Sequence, residues 1–232
     1  MKKTATLLLM LAMMLGMGAL AQEEGAIVQS SCNIVQSGEY VLVYCFAQVH
    51  NNSDQTICLD EGSLYLMNGE EMLARSRISR LWPSFLAPGA DGYLFDIVTL
   101  ETGGEGAGMP SVTGLQFDLS YMTVDPAYGG QPLETQGRIE IDDRTGRMSI
   151  VCEISNTTDE DAFGAMVEAG LYTEGGQMLY ACGTQLKDVG IPKGGTMLLR
   201  FGVEEELVEQ WSGYGMTPAY ALTSAVFSDN ED

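Results

Sequence analysis

The sequence predicts an all-β protein built from two tandem antiparallel β-sandwiches. Three observations lead to this: alternating apolar and polar residues, closely spaced turn signals, and a repeat of the whole pattern at an offset of about 105 residues. An alternation with a period of two places successive side chains on opposite faces of a strand. Many short strands separated by turns are typical of a sandwich. The stretch Glu204–Trp211 is expected to form a short helix or turn between the last two strands.

Residues 1–21 have the pattern of a secretory signal peptide. Lys2 and Lys3 precede an apolar run from Thr6 to Leu20, and Ala19–Ala21 fits a cleavage site. The run is shorter than the roughly 20 apolar residues of a transmembrane helix. We therefore expect cleavage after this segment, a secreted or envelope-associated protein, and no stable membrane insertion afterwards. An uncleaved anchor helix is the alternative.

The chain is strongly acidic, with a formal net charge of −21. Nucleic-acid binding needs Lys and Arg to neutralise phosphates, so nucleic acid is excluded as a partner. The simplest interpretation of the acidity is solubility and mutual repulsion outside the cell. An acidic binding face is the alternative.

The repeat divides the chain into residues 22–125 and 137–232, joined by a linker at 126–136 and ending in an acidic tail. The linker is rich in Gly, Pro and polar residues, as domain boundaries are. The matched segments are Val49–Thr56 with Ile154–Asp161, Leu64–Leu73 with Gly170–Leu179, Leu86–Phe95 with Ile191–Phe201, and Gly108–Val124 with Gly215–Ser228.

Strand and turn signals recur at matching places in both units. Val41–Val49 and Met148–Ile154 alternate with period two, which predicts one inward face for each strand. Gly and Asn accept the backbone angles of tight hairpin turns. The expected turns are at Ser37-Gly38, Asn68-Gly69, Pro88-Gly89, Thr145-Gly146, Gly175-Gly176 and Pro192–Gly195.

These landmarks resemble the FxLYD-type immunoglobulin-like domain of exported bacterial proteins. Leu171-Tyr172-Thr173 matches the Leu-Tyr-Asp core of that pattern, with Thr where Asp is usual, and Leu64-Tyr65-Leu66 matches more loosely. The resemblance implies two tandem immunoglobulin-like antiparallel β-sandwiches in an accessory module of the cell envelope. It implies no catalytic residues.

His50 is the only histidine in the chain, within "VHNNSDQT". A metal or catalytic site needs further ligands or a nucleophile near it, and the second unit has Ser155 at the matching position. We interpret His50 as a strand-end residue. Asn51, which does recur, is expected to adopt tight-turn backbone angles, while Ser53 and Asp54 bond local backbone groups.

The loops at Asn52–Asp54 and Asp159–Asp161 are the best acidic candidates for calcium. Neither has the spaced carboxylates of a calcium loop, so we interpret them as solvated turns and predict no metal and no cofactor. Asn51-Asn52-Ser53 and Asn156-Thr157-Thr158 are formal glycan acceptors, for which we favour a structural role.

Five cysteines are present, so at least one thiol has no partner within the chain. Cys32 lies opposite Cys45 if the hairpin turns at Gly38-Glu39, which makes this pair a disulfide candidate and leaves Cys58 free. Cys152–Cys182 is the candidate within the second unit. Buried reduced thiols are the alternative.

Two surface features remain open at this level. The aromatic residues Trp82, Phe85, Trp211 and Tyr214 could contact a glycan or protein, although core packing is favoured. The Arg75–Arg80 stretch could dock an acidic partner, although a strand edge protected by charge is favoured.

No Gly-x-Ser-x-Gly elbow and no phosphate-binding loop occurs in the sequence. We therefore predict a non-enzyme: a secreted, non-catalytic binding or spacer protein at the bacterial envelope or outside the cell, whose partner is an extracellular or envelope protein or a glycan. The alternative is a regulator or inhibitor that docks an extracellular enzyme. An enzyme would instead show a deep pocket with convergent polar groups.

Overall fold

The computed structural model describes residues 25–37, 40–101 and 111–227. Within these ranges the chain is all-β, as predicted, with the expected helix α1 at Glu205–Gly213 and a 3-10 turn at Pro126–Gly129. The predicted signal peptide, the Gly38-Glu39 turn and the acidic tail lie outside the described residues. The strands are β1 (Gly25–Ser37), β2 (Tyr40–Asn51), β3 (Thr56–Asn68), β4 (Glu71–Ile78), β5 (Phe85–Leu86), β6 (Asp91–Glu101), β7 (Gly114–Val124), β8 (Gln131–Ile141), β9 (Met148–Ser155), β10 (Ala162–Phe163), β11 (Met166–Thr173), β12 (Met178–Gln185), β13 (Gly190–Ile191), β14 (Thr196–Gly202) and β15 (Pro218–Phe227).

Two sheets form the first half of the chain, residues 25–124. One has the strand order β1-β2-β6, and the other joins β4, β5 and β7 to β3. The alternation predicted for β2 is present, because every second side chain from Val41 to Val49 is buried. These side chains share one hydrophobic core with Ile57, Leu64 and Leu94 of the surrounding strands.

The second half, residues 131–227, has one continuous order of strands, β12-β11-β15-β8-β9-β14. Strand β8 pairs with β15 through Gln131–Leu133 and then with β9 through Glu134–Ile141. A core that includes Cys152, Ile154 and Phe227 lies within this half. Since β8 begins at Gln131, more than half of the segment predicted as a linker, 126–136, is strand.

The strand plan of the first half is repeated in the second. The pairs β1–β2, β2–β6, β3–β4, β3–β5 and β3–β7 correspond to β8–β9, β9–β14, β11–β12, β10–β13 and β11–β15. A bulge in each hairpin follows Leu66 and Leu171, which makes these two residues counterparts. The looser Leu64-Tyr65-Leu66 match is therefore out of register by two positions, which keeps the same side chains on each face. The arrangement is compatible with two tandem sandwiches.

A buried asparagine holds the equivalent connection in each half. Asn51 and Asn156 are both fully buried. The Asn51 amide donates to the carbonyls of Gln55 at 2.8 Å and Leu86 at 2.9 Å. The Asn156 amide donates to Glu160 and Ile191, both at 2.8 Å. In each case the side-chain oxygen accepts the hydroxyl of the residue two positions on, Ser53 or Thr158.

These side-chain hydrogen bonds explain why the asparagine recurs, whereas the sequence suggested backbone turn angles as the reason. Among the described residues only glycines have positive φ, so the expectation of tight-turn angles at Asn51 is wrong. The side-chain amide instead satisfies buried carbonyls of two separate segments. Both formal glycan acceptors, Asn51 and Asn156, are closed to an attaching enzyme in this fold because neither side chain reaches the surface.

The second half covers the outer face of the β1-β2-β6 sheet. Phe46 and Tyr93 of that sheet belong to one core with Leu171, Tyr180 and Trp211 of the second half, which we call the shared core. Strand β2 is therefore covered on its second face as well, most completely at Phe46, where the alternation alone indicated one buried face.

A polar contact at the edge of the shared core ties the two halves together. The buried side chain of Asn33 donates to the carbonyl of Leu179 at 3.1 Å. Its oxygen accepts the indole N–H of Trp211 at 2.8 Å. A buried polar group with both partners satisfied positions its neighbours in a single way.

We predict that Gly183→Ala destabilises the protein, because a Cβ at this position would lie 2.8 Å from the Trp82 ring of the first half. Overpacking of this kind costs about 1–3 kcal/mol in the free energy of unfolding. Gly202→Ala is the matched control, since nothing lies within 4 Å of its added Cβ. Urea unfolding measures both variants, and equal stability of the two would show that the Trp82 contact is not a constraint.

We also predict that Asn51→Val lowers the free energy of unfolding by about 3 kcal/mol, because buried carbonyls lose their donor. His50→Ser, one residue earlier, is the control. Its half-exposed contact with Asp91 is of a type that contributes less than about 1 kcal/mol. Thermal or urea unfolding distinguishes the two, and the interpretation fails if His50→Ser is the more damaging change.

Candidate functional site

His50 forms a cross-strand pair rather than the centre of a site. Its Nδ1 lies 2.8 Å from Oδ1 of Asp91, the residue opposite it on β6. The equivalent pair in the second half is Ser155 and Thr196, whose hydroxyl oxygens are 3.2 Å apart. The contact therefore repeats between the halves with different chemistry, in agreement with a strand-end role.

The acidic loops contact their own neighbours. In the first loop, Gln55 Nε2 donates to Asp54 Oδ1 at 3.3 Å. Lys193 Nζ lies 2.7 Å from Asp159 Oδ1, and the backbone N–H of Lys193 donates to Asp161 Oδ1 at 2.8 Å. Across the described ranges, no group of three or more His, Cys, Asp and Glu residues is placed to hold a metal ion. The same ranges contain no helix with the length and apolar character needed to cross a membrane.

The five cysteines carry free thiols in this structure. Cys32 and Cys45 are directly opposed on the antiparallel strands β1 and β2, as the proposed hairpin requires. Burial raises the pKa of the Cys32 thiol to about 11. Cys152 on β9 and Cys182 on β12 belong to strands that are not neighbours in the sheet.

The predicted aromatic patch is divided between core and surface. Trp211 and Trp82 are buried, whereas Tyr214 is exposed. Phe85 packs against Tyr128, with ring centroids 5.5 Å apart. The four aromatic residues therefore do not form a common exposed patch.

The Arg75–Arg80 stretch begins on β4, which ends at Ile78 and pairs only with β3 among the described strands. The Arg75 guanidinium lies 5.6 Å from the centroid of the Tyr65 ring and its Nη2 donates to Ser63 Oγ at 2.8 Å. Arg80 covers the Trp82 ring at 4.9 Å. This placement agrees with a strand edge protected by charge.

A cleft of about 470 Å³ lies between the two halves. Its apolar wall includes Phe85, Leu133 and Leu222, and its polar residues include Gln48, Asp91, Tyr93, Glu168 and Ser224. The first half contributes β2, β5 and β6, and the second half contributes β8, β11 and β15. A largely apolar cleft of this size with a few convergent polar groups is the usual form of a small-molecule site.

Glu168 is the distinctive group of the cleft. It lies on β11 opposite Ser224 of β15, and only 2% of its surface is exposed. Its Oε1 accepts the Ser224 hydroxyl at 2.6 Å, while Oε2 is buried with no hydrogen-bond partner. Burial raises the pKa of this carboxyl well above its usual range, since a charge is costly away from water, and the nearby Asp91 raises it further. Burial therefore favours the neutral, protonated form of Glu168.

A chain of hydrogen bonds lies beside this acid. The Tyr93 and Tyr172 hydroxyls are 2.7 Å apart, and Tyr172 donates to Gln48 Oε1 at 3.1 Å. Since the Tyr172 proton is directed to Gln48, Tyr93 donates to Tyr172. Burial raises the pKa of Tyr172 to about 12 and raises that of Tyr93 as well. Both hydroxyls stay protonated at neutral pH. Tyr93 lines the cleft, and Tyr172 holds the Tyr93 hydroxyl in place from outside it.

Sequence reasoning missed Glu168. A glutamate in an alternating strand is normally assigned to the solvated face, and its counterpart in the first half is a serine, Ser63. The register shows that the pair Glu168 and Ser224 corresponds to Ser63 and Asp118, so the acid and the hydroxyl exchange strands. The exchange of acid and hydroxyl between the two copies is visible in the sequence. Which of the two acids is buried depends on the contact between the halves.

No family model matches the chain, and no curated protein matches it. A calcium-binding mutant of Bacteroides uniformis beta-glucuronidase 2 is similar over 70% of this chain and 22% of its own, with 10% identity and a TM-score of 0.21. Procruciferin, the 11S globulin of Brassica napus, is similar over 85% of this chain and 82% of its own, with 8% identity and a TM-score of 0.12. The chain thus spans only about a fifth of the glucuronidase chain. Such low scores carry no argument, and the resemblance to FxLYD-type domains stays a prediction.

We predict that unfolded, unreduced protein has three titratable thiols. Opposed residues on antiparallel strands have Cα atoms roughly 4.5–5.5 Å apart, which lies within the range of a disulfide, so Cys32 and Cys45 are expected to pair on export. Cys45→Ser should then give four thiols. A count of five in the parent protein would show that no bridge forms, and a count of one would add Cys152–Cys182.

Proposed function

We propose that this protein is an exported, non-catalytic binding protein whose ligand site is the cleft between its two halves. The observation that supports this most is the Glu168 carboxyl, which is buried, has a raised pKa and has no hydrogen-bond partner at Oε2. An unpaired buried polar atom costs free energy, and a ligand that pairs with it would recover that cost.

The cleft favours binding over the role of a bare spacer. A spacer has no need of a concave, largely apolar surface with a fixed set of polar groups. Here the two halves meet to form such a surface, and Tyr93, Tyr172 and Gln48 are already ordered by their mutual hydrogen bonds. Groups that are ordered before binding reduce the entropy that binding would otherwise cost.

Export and a place at the bacterial envelope remain part of the proposal. Their support is the signal-like segment at residues 1–21 and the acidic composition. The expected partner is a component of the envelope or the medium, and the volume of the cleft admits a small molecule or one side group of a larger glycan or protein. Docking to an extracellular enzyme as a regulator is the alternative form of the same function.

A second candidate function is hydrolysis. An enzyme has convergent polar groups in a pocket, and this cleft holds two carboxyl groups in different surroundings. Glu168 is buried and held neutral, whereas Asp91 is half-exposed and contacts His50. Two carboxyls in contrasting environments are the pattern of an acid–base pair. Turnover of a glycoside or ester panel that disappears in Glu168→Gln would favour this candidate over binding.

We predict that ligands perturb the cleft and no other surface. Isotope-labelled protein titrated with low-mass compounds from the medium and envelope of the secreting cell should show amide shift changes at Gln48, Asp91, Glu168 and Thr223. Leu222→Trp, which narrows the cleft at an exposed residue, should remove those changes. Shifts that cluster elsewhere, or that persist in Leu222→Trp, would contradict the assignment of the site.

A further inference from the structure

We propose that the cleft binds an organic cation: an ammonium group on an aliphatic stem, with the ammonium between Glu168 and Asp91 and the stem along the apolar wall. This inference rests on the proposed function, since it names the ligand class of the same site. A free amine and a lysyl side chain share this chemistry.

The charge of the cleft is the first argument. Its titratable residues are Asp91, Tyr93 and Glu168, and no Lys or Arg is among the described residues that line it. Tyr172 and Cys182 are the further titratable groups near Glu168, and neither is a cation. His50 contacts Asp91 and is a cation only when it is protonated. An anionic ligand would be repelled by Asp91, whereas a cation would be attracted to both carboxyl groups.

The first half of the chain supplies the second argument. There Ser63, the counterpart of Glu168, has a cation from the protein itself as its neighbour, because Arg75 Nη2 donates to the Ser63 hydroxyl and the guanidinium lies over Tyr65. The register that places Arg75 opposite Tyr65 places Ala181 opposite Gly170 in the second half. The second half therefore keeps the acid and the hydroxyl but lacks the arginine.

The acid itself gives the third argument. Glu168 carries one bonded oxygen and one unbonded oxygen, and an ammonium has three N–H donors. Binding would convert the buried neutral acid into a buried ion pair, so Glu168 would lose its proton to solvent as the ammonium enters. A buried charge of this kind is tolerated only when it is paired and hydrogen-bonded, which the ammonium and Ser224 together provide.

The apolar wall of the cleft favours a ligand whose ammonium group is carried on an aliphatic stem. Phe85, Leu133 and Leu222 line the cleft, and their burial by methylene groups would favour a chain of several carbons over ammonium alone. Each buried methylene contributes about 0.8 kcal/mol, or roughly a fourfold gain in affinity.

Calorimetric titration of the protein with n-butylammonium, n-butanol and Nα-acetyl-lysine amide tests the proposal. We expect n-butylammonium to bind, n-butanol to bind at least about tenfold more weakly, and about one proton to be released per ammonium, measured by comparing buffers of different ionisation enthalpy. Glu168→Gln should weaken ammonium binding by at least about tenfold. Asp118→Asn, the exposed acid of the equivalent pair, should leave it unchanged.

The outcomes separate the ligand class from the function. Binding of both amines supports a lysyl side chain, and binding of n-butylammonium alone supports a free amine. Equal binding of n-butanol, or undiminished binding in Glu168→Gln, overturns the cation proposal in favour of a neutral ligand. If compounds perturb the cleft in the amide-shift titration but no ammonium binds, the proposed ligand class is contradicted and the binding function is supported. If nothing perturbs the cleft, both the ligand class and the binding function are contradicted.

Glu168→Gln replaces a buried acid by a neutral group of equal shape, and its unfolding curve verifies that it folds.

Discussion

The outer face of the β1-β2-β6 sheet is covered by the second half of the chain, and most other features of the molecule depend on that contact. A sheet with one face on its own core commonly leaves the other face in water. Here that second face carries Phe46 and Tyr93, which join the shared core with Leu171, Tyr180 and Trp211. Close packing of this interface explains why glycine stands at two points, Gly170 beneath Tyr93 and Gly183 beneath Trp82. The cleft is lined by both halves, so its shape depends on the same contact.

Some contacts of the repeat are the same in the two halves of the chain, and others differ. The connection held by Asn51 recurs at Asn156 with the same donor and acceptor pattern. This part must satisfy buried backbone carbonyls in either copy, so its chemistry is the same in both. The outward faces of β3 and β11 do not have to satisfy buried carbonyls, and there the two halves differ. On β3, Ser63 accepts a hydrogen bond from Arg75, whereas on β11, Glu168 lines the cleft.

Several elements were predictable because their cause lies close to them in the chain. The alternation from Val41 to Val49, the turn predicted at Asn68-Gly69, which forms one residue later at Gly69-Glu70, and the helix near Glu204–Trp211 follow from local side-chain and backbone preferences. The opposition of Cys32 and Cys45 follows from the length of one hairpin. The importance of Asn51 was visible in the repeat, but its reason was not, because the carbonyl of Leu86 that it satisfies lies far along the sequence. Gly and Pro in 126–136 predict a linker, but the structure has strand β8 from Gln131 onward, because these residues pair with β15 and β9.

The sequence by itself determined the all-β class, the repeat and the faces of the individual strands. Only the tertiary structure decided which outward faces are covered. A period of two states that a strand has two faces, but the partner of each face is set by packing between residues far apart in the chain. Glu168 and Asp118 both occupy positions that alternation assigns to an outward face. One becomes a buried neutral acid beneath the first half and the other stays in water, because the second half has a sheet packed against it and the equivalent face of the first half does not.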